Sequence, residues 1–289
     1  MTPSPRARLL RTTRGALAWT GLGRVPLVRR TYNALIARAK TPGGTARVHG
    51  MIMRLDPHDD LNLSAVGVFE RPITRLVVRT VRPGMRALDI GAHIGYYTLL
   101  LAKQVGPTGH VTAFEPSPQN HALLWNNVQA NKLHQVTVRQ AAVADQSGTM
   151  RLYLAANTGD NRLYDSHDGR TAVEVATVAL DDLLADDVPV DFIKMDIQGS
   201  EWKAFCGMRR LLQRQSVKLV TEFWPHGLRL NGADPAEYLH ALEELGFRLH
   251  RIHEDGRPEP VASAAVLAED DSRRDVFSTD LYCVREAKH

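Results

Sequence analysis

The segment Leu88-Asp89-Ile90-Gly91-Ala92-His93-Ile94-Gly95 constrains the fold of this 289-residue chain more than any other part of it. A short apolar run ends in an aspartate, two glycines follow with three residues between them, and a largely apolar helical stretch begins. Glycines at such a turn let the backbone approach a ligand where a Cβ would interfere. The segment therefore predicts a buried strand at residues 87–90, a tight turn at a ligand site, and a helix at residues 95–105.

Apolar strand-like runs and amphipathic helical stretches alternate along the rest of the chain. Strands are expected at residues 110–115, 136–143, 191–196, 217–223, 247–252 and 277–284, with helices at 118–131, 201–212 and 235–245. This alternation predicts an α/β fold whose mostly parallel sheet is covered on both faces, with the last two strands paired antiparallel. The polar stretch 155–170 predicts a loop long enough to cover a substrate.

Acidic residues end the first two of these strands. The turn after Asp89 is not the GxGxxG pattern of a dinucleotide site, and a carboxylate there suits the ammonium of an amino-acid moiety better than a pyrophosphate. Glu115 ends the next strand, 24 residues after Gly91. At that position a carboxylate accepts both ribose hydroxyls of a nucleoside. The adjacent Pro116 offers an apolar surface for an adenine.

Two further strands are also expected to end in acids. Asp196 follows an apolar run, which places it at the carboxyl end of a core strand, where open α/β sheets bind ligands. Glu222 ends the next strand, and His226 follows shortly after it. The pattern predicts a cluster of carboxylates on one rim of the sheet. Lys194 shares a strand face with Asp196, as either a structural ion pair or a pair within the site.

These segments together resemble the FkbM family of S-adenosylmethionine-dependent methyltransferases. The resemblance extends over residues 51–284 and lies in the order and spacing of several motifs. They are Gly67-Val-Phe-Glu70-Arg-Pro72, Arg82-Pro-Gly84, Leu88-Asp-Ile-Gly-Ala-His-Ile-Gly-Tyr-Tyr-Thr98, Ala113-Phe-Glu-Pro116, Ala142-Val-Ala-Asp145, Val178-Ala-Leu-Asp181, Ile193-Lys-Met-Asp-Ile-Gln-Gly-Ser-Glu201 and Val220-Thr-Glu222.

The resemblance implies the class I methyltransferase fold, a Rossmann-like sheet of seven strands that is mostly parallel with an antiparallel last strand. It implies S-adenosylmethionine as cofactor and O-methylation of a hydroxyl on a sugar, glycolipid or other natural-product small molecule. The implied cofactor residues are Glu70, Asp89, Gly91, His93, Gly95, Thr98, Glu115, Pro116, Ala142 and Asp196. Asp196 is the first candidate to orient or deprotonate the acceptor, followed by Glu222 and His226.

Two positions depart from the family pattern. The chain has His93 where the family usually has Asn, and Gln198 where it usually has Glu. A neutral histidine can replace the asparagine as a hydrogen-bond partner, whereas a charged one would make cofactor binding depend on pH. Gln198 removes a carboxylate beside Asp196, so the identity of the base is left open.

Three alternatives follow from the residues. Asp196 and Glu222 could hold a divalent metal, but two carboxylates do not indicate one and no metal ligands are assigned. A nicotinamide-dependent oxidoreductase of similar topology is disfavoured because the chain lacks GxGxxG. The changes at His93 and Gln198 also allow a non-catalytic protein that only binds S-adenosylmethionine.

Charge separates the N-terminal part from the rest. Residues 1–55 contain eleven Lys or Arg and no acid, whereas residues 56–289 contain 25 basic and 32 acidic residues. We expect a basic amphipathic helical extension (1–46), a strand and helix lead-in (47–84) and an S-adenosylmethionine-binding domain (85–289). The extension would pack on the domain or contact an anionic surface at the inner membrane, although its composition also resembles a transit peptide.

Composition limits partners and location. The two cysteines lie far apart without a CxxC pattern, which suits a reducing cytoplasm. Aromatic residues make up 6% of the chain and no stretch interleaves them with arginines, so nucleic acid is not an expected partner. The expected partner is a small-molecule or glycolipid hydroxyl acceptor.

Overall fold

The computed structural model describes residues 26–41, 43–185, 187–214, 217–273 and 277–285. The first half contains α1 (Pro26–Ala39), β1 (Thr45–Val48), β2 (Met51–Arg54), α2 (Leu63–Val66), α3 (Arg71–Thr80), β3 (Arg86–Ile90), α4 (Tyr96–Val105), β4 (His110–Phe114), α5 (Pro118–Ala130), β5 (Val136–Arg139) and β6 (Ala142–Val143). The second half contains β7 (Gly148–Leu154), β8 (Thr171–Val178), α6 (Leu180–Leu183), β9 (Phe192–Met195), α7 (Glu201–Cys206), α8 (Arg209–Arg214), β10 (Lys218–Phe223), α9 (Pro225–Leu230), α10 (Pro235–Glu244), β11 (Arg248–Ile252), β12 (Pro258–Pro260), α11 (Ser263–Arg273) and β13 (Thr279–Val284).

The central sheet has the order β12-β11-β13-β10-β9-β3-β4-β5. Strands β5, β4, β3, β9 and β10 are parallel, and β13 lies antiparallel between β10 and β11. This arrangement is the class I methyltransferase topology, as expected. The chain continues from β3 to β4 on one side and reaches β9 on the other, so the strand order reverses at β3 and β9. Open α/β sheets bind ligands at such a switch point.

Apolar residues cover both faces of this sheet. On β3, Leu88 and Ile90 pack in one cluster with side chains of α7, α8 and α10, whereas Ala87 belongs to a second cluster with α3, α4 and the β1–β2 hairpin. Because side chains alternate along a strand, burial on both sides explains why the parallel strands are almost continuously apolar. The lead-in, residues 47–84, therefore shares its core with the rest of the fold.

Four local features differ from the sequence expectations. Residues 47–56 form a hairpin, and residues 136–143 divide into β5 and β6, which joins a separate sheet of order β6-β8-β7. The helix at 201–212 breaks at Gly207, where a Cβ would overlap the carbonyl of Ala144. Seven strands of the main sheet follow the expected arrangement, and β12 adds a short eighth strand at the edge, a position that tolerates its two prolines.

The basic extension is only partly described. Its first predicted helix, around residues 9–17, lies outside the described residues. The second predicted helix corresponds to α1, whose Ile36 packs against Ala65 and Val66 while Leu35 is 47% exposed. No helix among the described residues combines the length and the apolar character needed to cross a membrane.

Candidate active site

Two adjoining cavities lie at the carboxyl ends of the central parallel strands. The first, called here the cofactor cleft, has a volume of about 60 Å³, and the second, called the acceptor cavity, has a volume of about 390 Å³. Five residues line both of them: Gly91, His93, Gly159, Asp196 and Gln198. A ligand that filled the cleft would therefore border any ligand in the acceptor cavity.

The turn after β3 is compact because of its glycines. Gly91 has φ +83°, and a Cβ there would overlap the carbonyl of Asp196 and lie 2.9 Å from Cγ2 of Ile197. Gly95 has φ +99°, and a Cβ there would lie 2.7 Å from Leu124. Both positions have a left-handed backbone that favours glycine, and at Gly91 the close neighbour is backbone, which leaves no room for a side chain. The β3 turn can thus lie directly against the end of β9.

Asp89 lies beneath this turn. It is 1% exposed, and Thr98 on α4 donates a hydrogen bond to its Oδ2 at 2.5 Å. Burial raises the pKa of Asp89 to about 6, although the Thr98 hydrogen bond opposes the shift. The acceptor cavity reaches Asp89. A cation placed there would stabilise the charged carboxylate.

Glu115 occupies the wall of the cofactor cleft at the end of β4. Its two oxygens accept hydrogen bonds from the backbone amides of His93 at 2.8 Å and Ser117 at 2.9 Å. These contacts fix the carboxylate in place. Burial nevertheless raises the pKa of Glu115 to about 7. Pro116 and Ala142 form apolar parts of the same wall.

These residues fit an adenosine group. Glu115 supplies a fixed acceptor for ribose hydroxyls, while Pro116, Ala142, Leu152 and Leu163 supply apolar walls for a base. Oδ1 of Asn120, which also lines the cleft, is buried without a hydrogen-bond partner. Because buried polar atoms are nearly always paired, this unpaired acceptor indicates that a donor such as an amino group belongs in the cleft.

His93 separates the two cavities. Its backbone is left-handed, with φ +51°, and its Nε2 lies 2.8 Å from the hydroxyl of Thr158. Its Nδ1 is buried and has no hydrogen-bond partner. Burial lowers the pKa of His93, although the nearby carboxylates of Asp56, Asp60 and Asp196 oppose the shift. The imidazole is therefore neutral at pH 7.

A network of charged side chains forms one wall of the acceptor cavity. Lys194, whose side chain is 2% exposed, lies 3.3 Å from Oδ2 of Asp196 and 3.9 Å from Oδ1 of Asp280. Gln198 donates to Asp196 at 2.9 Å and to Glu222 at 3.3 Å. Lys194 thus forms an ion pair with Asp196 and also lines the acceptor cavity.

The carboxyl groups of this network differ in charge. Burial tends to raise the pKa of Asp196, but Lys194 and the hydrogen bond from Gln198 outweigh it and hold that pKa below its usual value. Burial raises the pKa of Glu222 well above its usual value, and the charge of Asp196 adds to the shift. Asp196 is therefore the more readily ionised of the two carboxyl groups, and Glu222 the more readily protonated.

Glu70 also lines the acceptor cavity and does not line the cofactor cleft. Its backbone is left-handed (φ +36°), which is strained for a glutamate. Tyr97 donates a hydrogen bond to its Oε2 at 2.8 Å. Burial raises the pKa of Glu70 to about 8, with Lys194 opposing the shift.

The predicted site residues divide into five groups. Glu115, Pro116 and Ala142 line the cofactor cleft, Glu70, Asp89 and Glu222 line the acceptor cavity, and Gly91, His93 and Asp196 line both. Gly95 and Thr98 support the β3 turn and α4 from below. His226 lies on α9 with its ring 5.8 Å from that of Trp224, and it lines neither cavity. Its catalytic role stays a prediction.

Sequence reasoning did not find several residues of the site, among them Asn120, Tyr97 and Thr158. Asn120 and Tyr97 lie on helices whose apolar patterns gave no sign of a polar role, and Thr158 lies in the predicted covering loop. No motif marks Thr158, because its partners come from distant segments. Within the described ranges, no three His, Cys, Asp or Glu side chains are grouped so that they could hold a metal ion.

Comparison with known proteins identifies the family. The Methyltransferase FkbM domain matches residues 89–249, more than half of the chain. The chain belongs to the FkbM methyltransferase family. The matched family is one of methyltransferases, and S-adenosylmethionine is the cofactor that the family implies.

Two curated proteins match the chain over less than half of its length. Protein-L-isoaspartate O-methyltransferase 1 of Arabidopsis thaliana is 30% identical over 135 residues, covering 43% of this chain and 54% of that protein. Protein-L-isoaspartate O-methyltransferase of Methanothrix thermoacetophila is 27% identical over 84 residues, covering 28% of this chain and 40% of that protein. The chain thus spans about half the length of the curated relatives it matches.

Solved structures are similar at low identity. Methyltransferase FkbM from Methylobacillus flagellatus has a TM-score of 0.44 and 18% identity, covering 78% of this chain and 52% of that one. SMU.1697c, a methyltransferase-like protein of Streptococcus mutans solved in complex with SAH, has a TM-score of 0.44 and 10% identity, covering 76% of this chain and all of that one.

Proposed function

We propose that the chain is an O-methyltransferase that methylates a hydroxyl of a small molecule such as a sugar or a glycolipid. The observation that carries this proposal is the ionised Asp196 in the wall shared by the cofactor cleft and the acceptor cavity. A hydroxyl loses its proton when its oxygen is methylated, so a proton acceptor must border both ligands.

Bound S-adenosylmethionine supplies an electrophilic methyl group on a positively charged sulfur. The chain must hold the acceptor oxygen in line with that methyl group and take up the proton. Lys194 and Gln198 each hold one carboxylate oxygen of Asp196, which fixes the direction of its remaining lone pairs. Burial raises the pKa of Glu222 well above its usual value, so Asp196 is the carboxyl group that is more readily ionised and free to take up a proton.

The charge of the acceptor cavity favours a hydroxyl over a carboxylate as acceptor. Asp60, Asp160 and Asp196 line the cavity, and Lys194, the cation among its lining residues, is already paired with Asp196. A negatively charged acceptor would be repelled by these carboxylates. For that reason the L-isoaspartate named for the Arabidopsis relative is not proposed as the substrate of this chain.

Labelled methyl transfer tests the proposal. The full chain is incubated with S-adenosylmethionine labelled in the methyl group and a panel of glycosides, glycolipids, macrolides and an isoaspartyl peptide. We expect labelled ethers, which survive mild alkali, and a loss of transfer of about 100-fold or more in Asp196→Asn. Only alkali-labile esters, or full activity of Asp196→Asn, would refute the proposal. Binding of S-adenosylhomocysteine without any transfer would indicate a non-catalytic protein.

We also propose a cytoplasmic location, with membrane contact through the basic extension if the acceptor is lipid-linked. The eleven basic residues and the lack of acids in residues 1–55 support this proposal, because such segments bind anionic lipid surfaces. The full chain should sediment with phosphatidylglycerol vesicles, whereas a chain lacking residues 1–44 should not. Equal sedimentation of both proteins would contradict it.

A further inference from the structure

Thr158 connects three segments of the chain around the cofactor cleft. Its hydroxyl lies 2.8 Å from Nε2 of His93, in the turn after β3, and 3.1 Å from Oδ2 of Asp60, in the turn after β2. Its backbone N–H donates to the same oxygen of Asp60 at 2.8 Å. Its carbonyl accepts from Nδ2 of Asn120, on α5, at 2.9 Å. This single residue fixes the segment 155–170 across the cleft.

These contacts determine where the protons lie. The carboxylate of Asp60 can only accept, so the one hydroxyl hydrogen of Thr158 must point to Asp60. The hydroxyl oxygen of Thr158 is then an acceptor toward His93, and Nε2 of His93 must carry the hydrogen of that contact. In a neutral imidazole the other nitrogen has no hydrogen. Nδ1 of His93 is therefore a hydrogen-bond acceptor.

That acceptor has no partner within the protein. Nδ1 is buried and unpaired, and His93 lies in the wall shared by the cofactor cleft and the acceptor cavity. Leaving such an atom unsatisfied costs free energy unless a bound ligand pairs with it. S-adenosylmethionine carries suitable donors, namely its ribose hydroxyls and its ammonium group. A nitrogen without hydrogen can accept a hydrogen bond from one of these donors, whereas an Nδ1 that carries hydrogen could not.

We propose that Thr158 is a positioning residue for the cofactor: together with Asp60 it holds His93 in the tautomer that has hydrogen on Nε2, so that Nδ1 accepts a hydrogen bond from the cofactor. The lowered pKa of His93 supports this arrangement, because the imidazole must be neutral. The groups that face the ring are the carboxylates of Asp56, Asp60 and Asp196, and none of them is a hydrogen-bond donor when ionised. The inference rests on the cofactor site and not on the identity of the methyl acceptor.

The test uses S-adenosylhomocysteine as probe and needs no methyl acceptor, so a failure of the proposed O-methylation would leave it intact. Thr158→Val removes the hydroxyl, whereas Thr158→Ser keeps it. Thr171→Val is the matched control, because Thr171 is an exposed threonine of β8. Calorimetry gives the dissociation constant, and nitrogen-15 shifts of labelled histidine give the tautomer of His93. The resonances are assigned by their loss in His93→Asn.

We expect Thr158→Val to weaken S-adenosylhomocysteine binding about tenfold, the effect of one hydrogen bond, and to mix the two tautomers of His93. Thr158→Ser and Thr171→Val should keep wild-type values. Either an unchanged tautomer or an unchanged dissociation constant in Thr158→Val overturns the proposal.

A double-mutant cycle separates this role from simple closure of the loop. If Thr158 acts through His93, Thr158→Val should have little further effect in the His93→Asn background. A full tenfold loss in that background would overturn the proposal, since Thr158 would then act without the imidazole. Thermal unfolding of each variant shows whether it is folded, and Thr158→Ala, which also removes the hydroxyl, replaces Thr158→Val in the cycle if that variant is not.

Discussion

Replacing Gly91 by alanine should destabilise the fold and impair the cofactor site at the same time. The new Cβ would overlap the carbonyl of Asp196, at the end of β9, and would lie 2.9 Å from Cγ2 of Ile197. Because the neighbour is backbone, relief requires the β3 turn to move away from β9. That movement would displace a residue that lines both cavities.

The size of the effect follows from two contributions. A left-handed backbone at φ +83° costs an L-residue about 1–2 kcal/mol. Forcing an additional carbon into a packed region costs about 1–3 kcal/mol. The free energy of unfolding should therefore fall by about 2–5 kcal/mol. Gly232→Ala is the matched control, since Gly232 has φ +80° but a Cβ there would meet no atom within 4 Å, and it should lose only the first contribution.

Urea unfolding followed by circular dichroism measures the stability of both variants, and calorimetry measures their binding of S-adenosylhomocysteine. We expect the larger loss of stability and a loss of binding in Gly91→Ala only. Equal destabilisation of the two variants would show that the approach of β9 to the turn contributes nothing, which would refute the reasoning.

Three further predictions concern charge. Glu115→Gln should weaken S-adenosylhomocysteine binding about tenfold at pH 8 but less at pH 6. The pKa of Glu115 is raised to about 7, so at pH 6 the wild-type carboxyl group is already mostly protonated. Calorimetry at both pH values measures the two losses, and equal losses would contradict this prediction. Asp196→Asn should lower the free energy of unfolding by about 3–5 kcal/mol, because it deprives buried Lys194 of its nearest partner. Glu222→Gln should lower it by less, because burial raises the pKa of Glu222 and already disfavours its charged form. Urea unfolding at pH 7 distinguishes the two variants, and equal losses would contradict this reasoning. The pKa of Glu70 is raised to about 8, so the contribution of its protonated form to stability is fully present below about pH 4.5 and is lost as the pH rises through 8. The free energy of unfolding of the cofactor-free protein should decline over this range. Glu70→Gln should make that decline smaller.

Local patterns in the sequence predicted the central part of the fold. The β3 strand, its glycine turn and α4 follow from an apolar run, two glycines and a second apolar stretch, each of which acts over a few residues. The alternation of strands and helices predicted the parallel sheet. It also predicted that acids at strand ends would meet, because parallel strands end on the same edge. Asp89, Glu115, Asp196 and Glu222 indeed border the two adjoining cavities.

Other features depend on contacts between distant segments. The break at Gly207 arises because its backbone packs against Ala144, and no local pattern reveals that approach. The strands β7 and β8 flank the polar loop 155–170 and pair with each other along the whole length of β7. The sequence predicts the loop but not these two strands, because their pairing joins residues far apart in the chain. His226 follows Glu222 closely in sequence, yet α9 begins between them and places it outside the lining of both cavities.

The sequence by itself determined the family, the topology and the rim of the sheet at which ligands bind. Only the tertiary structure decided the charge and proton positions within the site. Asp196 and Glu222 are both acids at strand ends, but Lys194 lowers the pKa of Asp196 while burial raises the pKa of Glu222. The same holds for His93, whose tautomer depends on Asp60 through Thr158. The strand, turn and helix around β3 follow from local residue types, whereas a proton responds to burial and to every charge that folding brings near it.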